Sequence, residues 1–325
     1  MRAMLPLLPS FRQALGAVAL MVVVMAPASA LDRVSFVVGT NPGGGYDQTA
    51  RSLGQAMLDA GVAKSVIYDN KAGAGGTIAL AHFVSNNRND GNALIVTGAV
   101  MIGAIVQNKP PVSLAQAVPI ARLIHESNVF VVPANSPIRS MKDVVELLKK
   151  DVGAVKWGGG SRGSVDQISI AQIARAVGVD PAKINYLPFQ GGGEASAAIV
   201  GGHVTVGTSG WNELAPLIRS GKLRAIAVTS RERLPGNPTP TLREQDLNIE
   251  VENWRGVYAA PGINAEQRKA ITRAVLAAVR QKSWTDALAS NTWSAAVLTG
   301  PEFEKFINDE QIRIEGLMRE VGLIK

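Results

Sequence analysis

Two glycine-rich segments combine the residue types and the setting of an anion-binding site. The first, residues 41–47, reads Asn-Pro-Gly-Gly-Gly-Tyr-Asp, and the second, residues 158–164, reads Gly-Gly-Gly-Ser-Arg-Gly-Ser. Each follows a short apolar run of strand type and precedes a longer run of helical type. A glycine turn that leads into a helix leaves backbone N–H groups free, and the helix dipole adds partial positive charge there. The two segments therefore predict one pocket that holds a carboxylate or a phosphate from two sides.

Several side chains in or near these segments have two interpretations each. Arg162 can hold a carboxylate through two parallel hydrogen bonds, or it can face solvent. Asp47 and Asp166 lie in first helical turns, where a carboxylate favours the positive end of a helix, so both can be plain caps. Trp254 can close over a ligand or belong to the core. The sequence leaves these alternatives open.

Other loops follow predicted strands and can reach the same pocket. Loops at the carboxyl ends of parallel strands converge on one crevice, which adds Gly98 and Ser209 to the candidate residues. A third glycine-rich segment, residues 70–77, is explained by a tight turn and close helix packing, although it can also form a wall of the pocket.

Two known motifs overlap in the second glycine-rich segment, and neither is complete. Residues 158–163 match a dinucleotide-binding fingerprint, but Asp180 stands before the next predicted strand instead of at its end. Residues 159–163 match the nucleophile elbow of α/β-hydrolases, which need Ser, acid and His in that order. His203 is the only histidine after Ser161, and it is far from the C-terminal position that such enzymes use. We therefore expect no cofactor and no catalysis, with an exported hydrolase that uses Ser161 as the alternative.

Alternating runs of two kinds must position these loops. Short β-branched runs such as Val34–Val38 and residues 129–132 predict strands, and longer amphipathic runs such as residues 47–60 predict helices. The chain closes with three predicted helices, residues 265–281, 283–291 and 302–321. Alternation of this kind indicates an α/β fold with mostly parallel sheets.

Composition excludes several classes of site and partner. The chain of 325 residues carries 33 Lys and Arg, 26 Asp and Glu, 3 His and no Cys. A protein without cysteine has no disulfide, no thiol nucleophile and no thiolate metal site, and these histidines are not at metal-ligand spacing. The mild positive charge is scattered, so it suits a small anionic ligand and not a nucleic acid. We expect no metal site.

The start of the chain has the pattern of a secretory signal peptide over residues 1–30. Two arginines make it basic, an apolar stretch covers residues 14–25, and residues 28–30 read Ala-Ser-Ala, a typical cleavage signal. We expect cleavage after Ala30 and a mature chain outside the cytoplasm.

Seven segments in order along the chain carry a resemblance to a known family. They are residues 42–51, 70–77, 157–166, 186–195, 220–228, 240–242 and 253–257. Together they span nearly all of the expected mature chain, and they resemble the extracytoplasmic receptors of tripartite tricarboxylate transporters. The resemblance implies a hinged, two-domain periplasmic-binding-protein fold of type II, each domain a mostly parallel sheet flanked by helices. It places residues 31–132 and 251–325 in one domain and residues 133–250 in the other.

The resemblance also implies which residues bind the ligand. Receptors of that family hold carboxylates in the interdomain cleft, at the two loop–helix starts described above. Carried over to this chain, the binding residues are Gly44, Gly45, Tyr46, Asp47, Gly159, Gly160, Ser161, Arg162, Gly163 and Ser164. With Gly98, Asp166, Ser209 and Trp254, they make up the predicted site.

Within the family, the chain is most similar to the citrate-type branch. That branch commonly has His at the position of Gln167 and a small residue at the position of Arg162. Both departures lie at the predicted cleft, so they concern the identity of the ligand and not the fold.

The function that the resemblance implies is capture and delivery of a solute in the periplasm. The solute would be a di- or tricarboxylate such as citrate, and the partners would be the membrane subunits of the transporter. We expect a monomer that closes on its ligand and makes or breaks no bond. A receptor that presents its ligand to a two-component sensor kinase would have the same sequence features, so that alternative stays open.

Overall fold

The computed structural model describes residues 31–190 and 192–325, which contain ten strands and ten helices. The strands are β1 (Val34–Val38), β2 (Val66–Asn70), β3 (Ala93–Gly98), β4 (Val118–Pro133), β5 (Lys156–Gly159), β6 (Asn185–Pro188), β7 (Val206–Gly210), β8 (Leu223–Val228), β9 (Glu252–Ala259) and β10 (Ser294–Thr299). The helices are α1 (Gly45–Asp59), α2 (Thr77–Asn86), α3 (Ala99–Asn108), α4 (Met141–Lys150), α5 (Val165–Ala176), α6 (Gly192–Val200), α7 (Trp211–Arg219), α8 (Ala265–Ala278), α9 (Lys282–Asn291) and α10 (Gly300–Glu320).

The predicted signal peptide, with its cleavage site after Ala30, lies outside the described residues. In the described part of the chain, no helix combines the length and the apolar character that a membrane crossing requires.

The ten strands form one continuous sheet made of two groups that share β4. The order is β2-β1-β3-β9-β4-β7-β5-β6, and β8 and β10 also pair with β4. Residues 118–127 of β4 pair with β9, whereas residues 128–133 pair with β7 and β8. One long strand therefore carries the chain from the first group to the second.

The strands that lead into the two glycine-rich loops are parallel to their neighbours. β1 pairs in parallel with β2 and β3, and β5 pairs in parallel with β6 and β7. The pairs that involve β4 or β9 are antiparallel. Each group is thus a mixed sheet, and its parallel part places successive loops at one edge.

Two strands differ from the sequence-based expectation. The strand predicted at residues 129–132 is the end of the much longer β4, whose first part contains Pro119 and the charged Arg122 and Glu126. Pairing with β9 and β10 keeps this part extended despite its composition. The strand β10, between the second and third C-terminal helices, was not predicted because it is short, partly exposed and interrupted by a register shift.

A second crossing between the two groups lies beside β4 and is tied to it by Thr229. The N–H of Thr229 donates to the carbonyl of Asn128 (3.0 Å), and the N–H of Val251 donates to the carbonyl of Thr229 (3.2 Å). The Thr229 hydroxyl accepts from the N–H of Asn128 (2.9 Å) and donates to the carbonyl of Val251 (2.7 Å). Three stretches of backbone are therefore joined through one buried side chain.

Candidate ligand-binding site

A small cavity lies where several helices begin, between the two strand groups. Its volume is about 80 Å³, enough for a handful of water molecules. The lining residues are Gly39, Thr40, Gly45, Tyr46, Gly75, Val100, Gly160, Ser161, Val165, Asp166, Phe189, Gln190, Ala195, Ser209, Gly210, Glu213, Asn253 and Arg255. The helices α1, α3, α5 and α7 all contribute residues of their first turn.

The first turns of α1 and α5 give the cavity its hydrogen-bond donors. The first N–H groups of a helix have no acceptor within the helix, and the dipole makes that end positive. Gly44 precedes α1 without a side-chain cap, and Gly45 and Tyr46 line the cavity. The helix α5 is capped by Ser164, whose hydroxyl accepts from the N–H of Gln167 at 3.4 Å. At the α1 start the Thr40 hydroxyl accepts from the N–H of Asp47 at 3.3 Å, so each of the two helix starts has one N–H held by a hydroxyl.

Asp47 shapes the first loop and does not line the cavity. Its Oδ2 accepts from the N–H of Gly43 (2.9 Å) and from Nε of Arg51 (2.8 Å), and its Oδ1 accepts from Nδ2 of Asn70 (3.0 Å). Burial raises the pKa of Asp47, but the three hydrogen bonds and the Arg51 charge outweigh burial and hold the pKa below its usual value. In this structure Asp47 is a charged cap of its own loop.

Asp166 lines the cavity from the first turn of α5. Its Oδ2 accepts from the N–H of Gly160 at 2.7 Å, and its Oδ1 accepts from the amide of Asn128. Burial raises the pKa of Asp166 to about 7, the bond from Gly160 opposes the increase, and the carboxylate of Glu213 adds to it. Asp166 therefore combines a capping position with a place in the cavity wall.

Arg255 is the arginine that lines the cavity, and it forms a buried ion pair with Glu126. Arg255 and Glu126 are each 2% exposed. The other oxygen of Glu126 accepts from Nε1 of Trp293 at 2.9 Å, and Arg255 also donates to the hydroxyl of Thr49 at 3.3 Å. Burial raises the pKa of Glu126 to about 7, while the Arg255 charge acts in the opposite direction.

Close approach of Arg255 to α1 depends on Gly45. A methyl group at Gly45 would overlap the guanidinium of Arg255. The backbone of the first glycine-rich loop and the guanidinium of Arg255, paired with Glu126, therefore meet directly at the cavity.

The third glycine-rich segment forms a wall of the cavity, as one of its two interpretations required. Gly75 lines the cavity and faces Ser161 of the second loop, since a methyl group at Gly75 would lie 2.9 Å from the Ser161 hydroxyl. That hydroxyl is buried and has no hydrogen-bond partner among the described residues.

The structure brings together some of the predicted site residues and separates others from the cavity. Those that line it are Gly45, Tyr46, Gly160, Ser161, Asp166 and Ser209. Those that belong to the surrounding loops or strands without lining it are Gly44, Asp47, Gly98, Gly159, Gly163 and Ser164. Arg162 and Trp254 do not line the cavity, although each is next in the chain to a residue that does.

In this structure Arg162 faces solvent and Trp254 belongs to the core, which is the second interpretation given above for each residue. The Arg162 side chain is exposed to solvent. Trp254 is buried, donates from Nε1 to Glu310 at 3.0 Å, and packs edge-on against Phe303 and Phe306. Successive residues of a strand face opposite sides, so Trp254 enters the core while its neighbour Arg255 faces the cavity.

Several lining residues were not singled out from the sequence. They include Thr40, Phe189, Gln190, Glu213, Asn253 and Arg255. A signal for Arg255 would have been available had the strand predicted at residues 256–260 been started at Glu252, as in β9, because a charged residue beside a tryptophan on a strand favours opposite faces for the two. Nothing local marks Glu213 or Asn253 as residues of a pocket, because each is brought there by tertiary pairing.

Comparison with known proteins decides the family. A model of the tripartite tricarboxylate transporter family receptor matches residues 49–323. This chain belongs to that family. The receptor is 26% identical over 295 residues to Protein BugT of Bordetella pertussis, a match that covers 89% of each chain.

Solved structures confirm the fold of the receptor. It is similar to the periplasmic binding protein BugD, with a TM-score of 0.80 and 24% identity over 90% of this chain and 98% of that one. It is also similar to MatC of Rhodopseudomonas palustris, solved with bound malate, with a TM-score of 0.76 and 26% identity over 88% of this chain and 98% of that one. The predicted α/β fold of periplasmic-binding-protein type is therefore confirmed.

Family membership makes this chain a solute-binding receptor and not an enzyme. The hydrolase alternative also lacks support in the site, since the Ser161 hydroxyl has no histidine beside it in the described part of the chain. Receptors of this family bind small carboxylates, belong to the periplasm and work with membrane subunits of the transporter.

Proposed function

We propose that this receptor captures a small di- or tricarboxylate in the cavity described above and delivers it to the membrane subunits of a tripartite transporter. The observation that carries the proposal is the meeting of the α1 and α5 starts with Arg255 around one cavity. Helix starts and a guanidinium are both groups that bind carboxylates. The malate in the solved MatC structure is a ligand of this class.

We propose further that residues 31–132 and 251–325 form one domain and residues 133–250 the other. The change of partners along β4, from β9 to β7 between Ser127 and Asn128, supports a crossing near the first boundary. The contacts of Val251 with Thr229 support a crossing at the second boundary. A ligand that touches both domains favours the closed form by its differential affinity.

The location follows from the same proposal. A periplasmic receptor is exported, so we assign residues 1–30 to a signal peptide that is cleaved after Ala30. We also propose a monomer in solution, because a hinged receptor carries its complete site on one chain. Mass spectrometry of the secreted protein and sedimentation analysis test these two points.

Thermal unfolding tests the binding function. A ligand that binds only the folded state raises the melting temperature, by an amount that grows with its concentration relative to Kd. The panel is citrate, tricarballylate, malate, succinate, glutarate and adipate, on protein unfolded and refolded beforehand to remove any bound ligand. We expect at least one acid to raise the melting temperature by several degrees. No shift with any carboxylate would contradict the proposal.

Two glycine substitutions test whether the ligand-induced shift in melting temperature arises at the cavity. Gly45→Ala would place a methyl group against Arg255, so we expect it to abolish the ligand-induced shift. Gly316→Ala is the matched control, because Gly316 lies within α10 with open space around its Cα. Alanine there should stabilise the free protein by about 0.5–1 kcal/mol and leave the ligand-induced shift unchanged.

A further inference from the structure

Glu213 is a cavity-lining carboxylate that the binding of simple anions does not explain. It lies in the first turn of α7, and one of its oxygens accepts from the hydroxyl of Ser209. In the described part of the chain, Glu213 forms no ion pair with Lys, Arg or His. A carboxylate placed beside the site of an anionic ligand repels that ligand unless something positive lies between them.

Asn253 adds a second acceptor to the cavity wall, and its hydrogen bond to Glu126 shows which way its side-chain amide is turned. Its Nδ2 donates to Oε1 of Glu126 at 3.3 Å, and because a carboxylate only accepts, the amide nitrogen must be the group on that side. The Oδ1 of Asn253 therefore points elsewhere, and it is buried without a partner among the described residues. The residue is 6% exposed and lines the cavity. A buried carbonyl oxygen of this kind costs free energy until a donor reaches it.

Glu213 and Asn253 belong to the same wall of the cavity. Gly210, which directly precedes α7, also lines the cavity, and a methyl group there would lie 2.5 Å from Oε1 of Glu126. That oxygen is the atom to which Asn253 donates. The start of α7, which carries Glu213, and the side chain of Asn253 therefore both lie close to this one oxygen of Glu126.

We propose that the ligand is a small dicarboxylate that carries a protonated amine, with the ammonium group between Glu213 and Asn253. This inference rests on the proposed function, since it names the ligand class of the same site. An ammonium has three donors and a positive charge, so it can satisfy both acceptors and offset the Glu213 charge. The carboxylates of the same ligand would lie at the helix starts.

The other ligand chemistries fit this wall less well. A hydroxyl group, as in malate, offers one donor and no charge. A tricarboxylate would bring further negative charge towards Glu213 and Asp166, neither of which has a cationic partner in the described residues. Burial and the Glu213 carboxylate raise the pKa of Asp166. A positive group in the cavity would lower that pKa again, because it favours the charged carboxylate.

Isothermal titration with matched acids tests the inference. The pairs are aspartate with succinate and glutamate with glutarate, which differ only in the amine, and malate and citrate complete the set. The protein is unfolded and refolded first to remove any bound ligand. We expect the amine-bearing member of at least one pair to bind about tenfold more tightly or better, with malate between aspartate and succinate.

Two Glu→Gln variants test whether Glu213 causes the preference for the amine-bearing acid. Glu213→Gln should remove most of the difference within the pair, because the amine-bearing acid loses its counter-charge while succinate or glutarate loses a repulsion and binds more tightly. Glu266→Gln is the matched control, because Glu266 is also in the first turn of its helix, α8, but is exposed and lies outside the cavity. Thermal unfolding of both variants checks that they are folded.

Several results would overturn the inference, and they can be told apart from failure of the proposed function. Equal binding within both pairs, or an equal loss for both members in Glu213→Gln, would contradict the amine and leave a carboxylate receptor. Citrate binding that needs a divalent cation and is lost in Glu213→Gln would replace the ammonium by a metal complex. Absence of binding for every acid would contradict the proposed function as well.

Discussion

Glu126 and Asp166 are buried acids with raised pKa values. Burial raises the pKa of each to about 7, against an unperturbed value near 4 in an unfolded chain. Arg255 opposes the change at Glu126, and Glu213 adds to it at Asp166. Between about pH 4 and pH 7 the folded state therefore binds more protons than the unfolded state.

Stability of the ligand-free receptor should fall as pH rises through this window. Each of the two groups contributes a slope of up to about 1.4 kcal/mol per pH unit, and the slope should vanish above about pH 8. Urea unfolding at about pH 5, 6, 7 and 8 measures it. Asp47, whose pKa is lowered, gives the opposite slope only at more acidic pH.

One substitution tests whether Asp166 contributes to this pH dependence of stability. Asp166→Asn removes one of the two titrating groups, so it should flatten the slope in part while keeping a side chain that can accept from Gly160. Asp286→Asn is the control, since Asp286 is exposed and, among residues 31–190 and 192–325, forms an ion pair only with Lys282. A stability that stays constant or rises between about pH 5 and pH 7 would show that these acids are ionised in the folded protein.

At the level of the elements, Thr229 connects the two crossings between the strand groups. Its hydroxyl makes one bond to Asn128 in β4 and one to Val251 before β9. In Thr229→Val the shape is kept, but an N–H and a carbonyl lose their side-chain partner. The expected loss of stability is about 1–3 kcal/mol, measured by urea unfolding.

Thr229→Val should also change Kd for the ligand by more than its loss of stability explains. If the crossings act as a hinge, loosening them changes the balance of open and closed forms and therefore Kd. The control is Thr285→Val in α9, which should change stability by less than about 0.5 kcal/mol. Within the described part of the chain, the Thr285 hydroxyl bonds only to the carbonyl of Gln281, one turn earlier. Equal stability of the two variants would mean that Thr229 has no special part in the crossing.

Local chemistry explains which elements the sequence revealed. The starts of α1 and α5 were predicted because glycines, a capping serine and first-turn acids are signals within a few residues of each other. The ion pair of Arg255 with Glu126 joins positions 129 apart in the chain, so no local pattern marks it. The same holds for the first half of β4, where pairing with β9 overrides the composition.

At the scale of the whole molecule, polar side-chain contacts link the first strand group to the second. The amide of Asn212 in α7 donates to Oε1 of Gln48 in α1 at 2.5 Å. The amide of Asn41, before α1, donates to Glu194 in α6 at 3.2 Å. Each contact joins the first strand group to the second, so both can form only when the two groups are close together.

Removing the Asn212 contact should weaken ligand binding by destabilising the closed form. One hydrogen bond is worth about 1 kcal/mol, so Asn212→Ala should raise Kd about fivefold by isothermal titration. The compact form at saturating ligand should persist, and small-angle scattering should give the same radius of gyration as for the unmodified receptor. Asn86→Ala is the control, because the one described residue to which the Asn86 side chain bonds is His82 in the same helix. An unchanged Kd for Asn212→Ala, with a radius that still falls on ligand addition, would mean that closure does not depend on this contact.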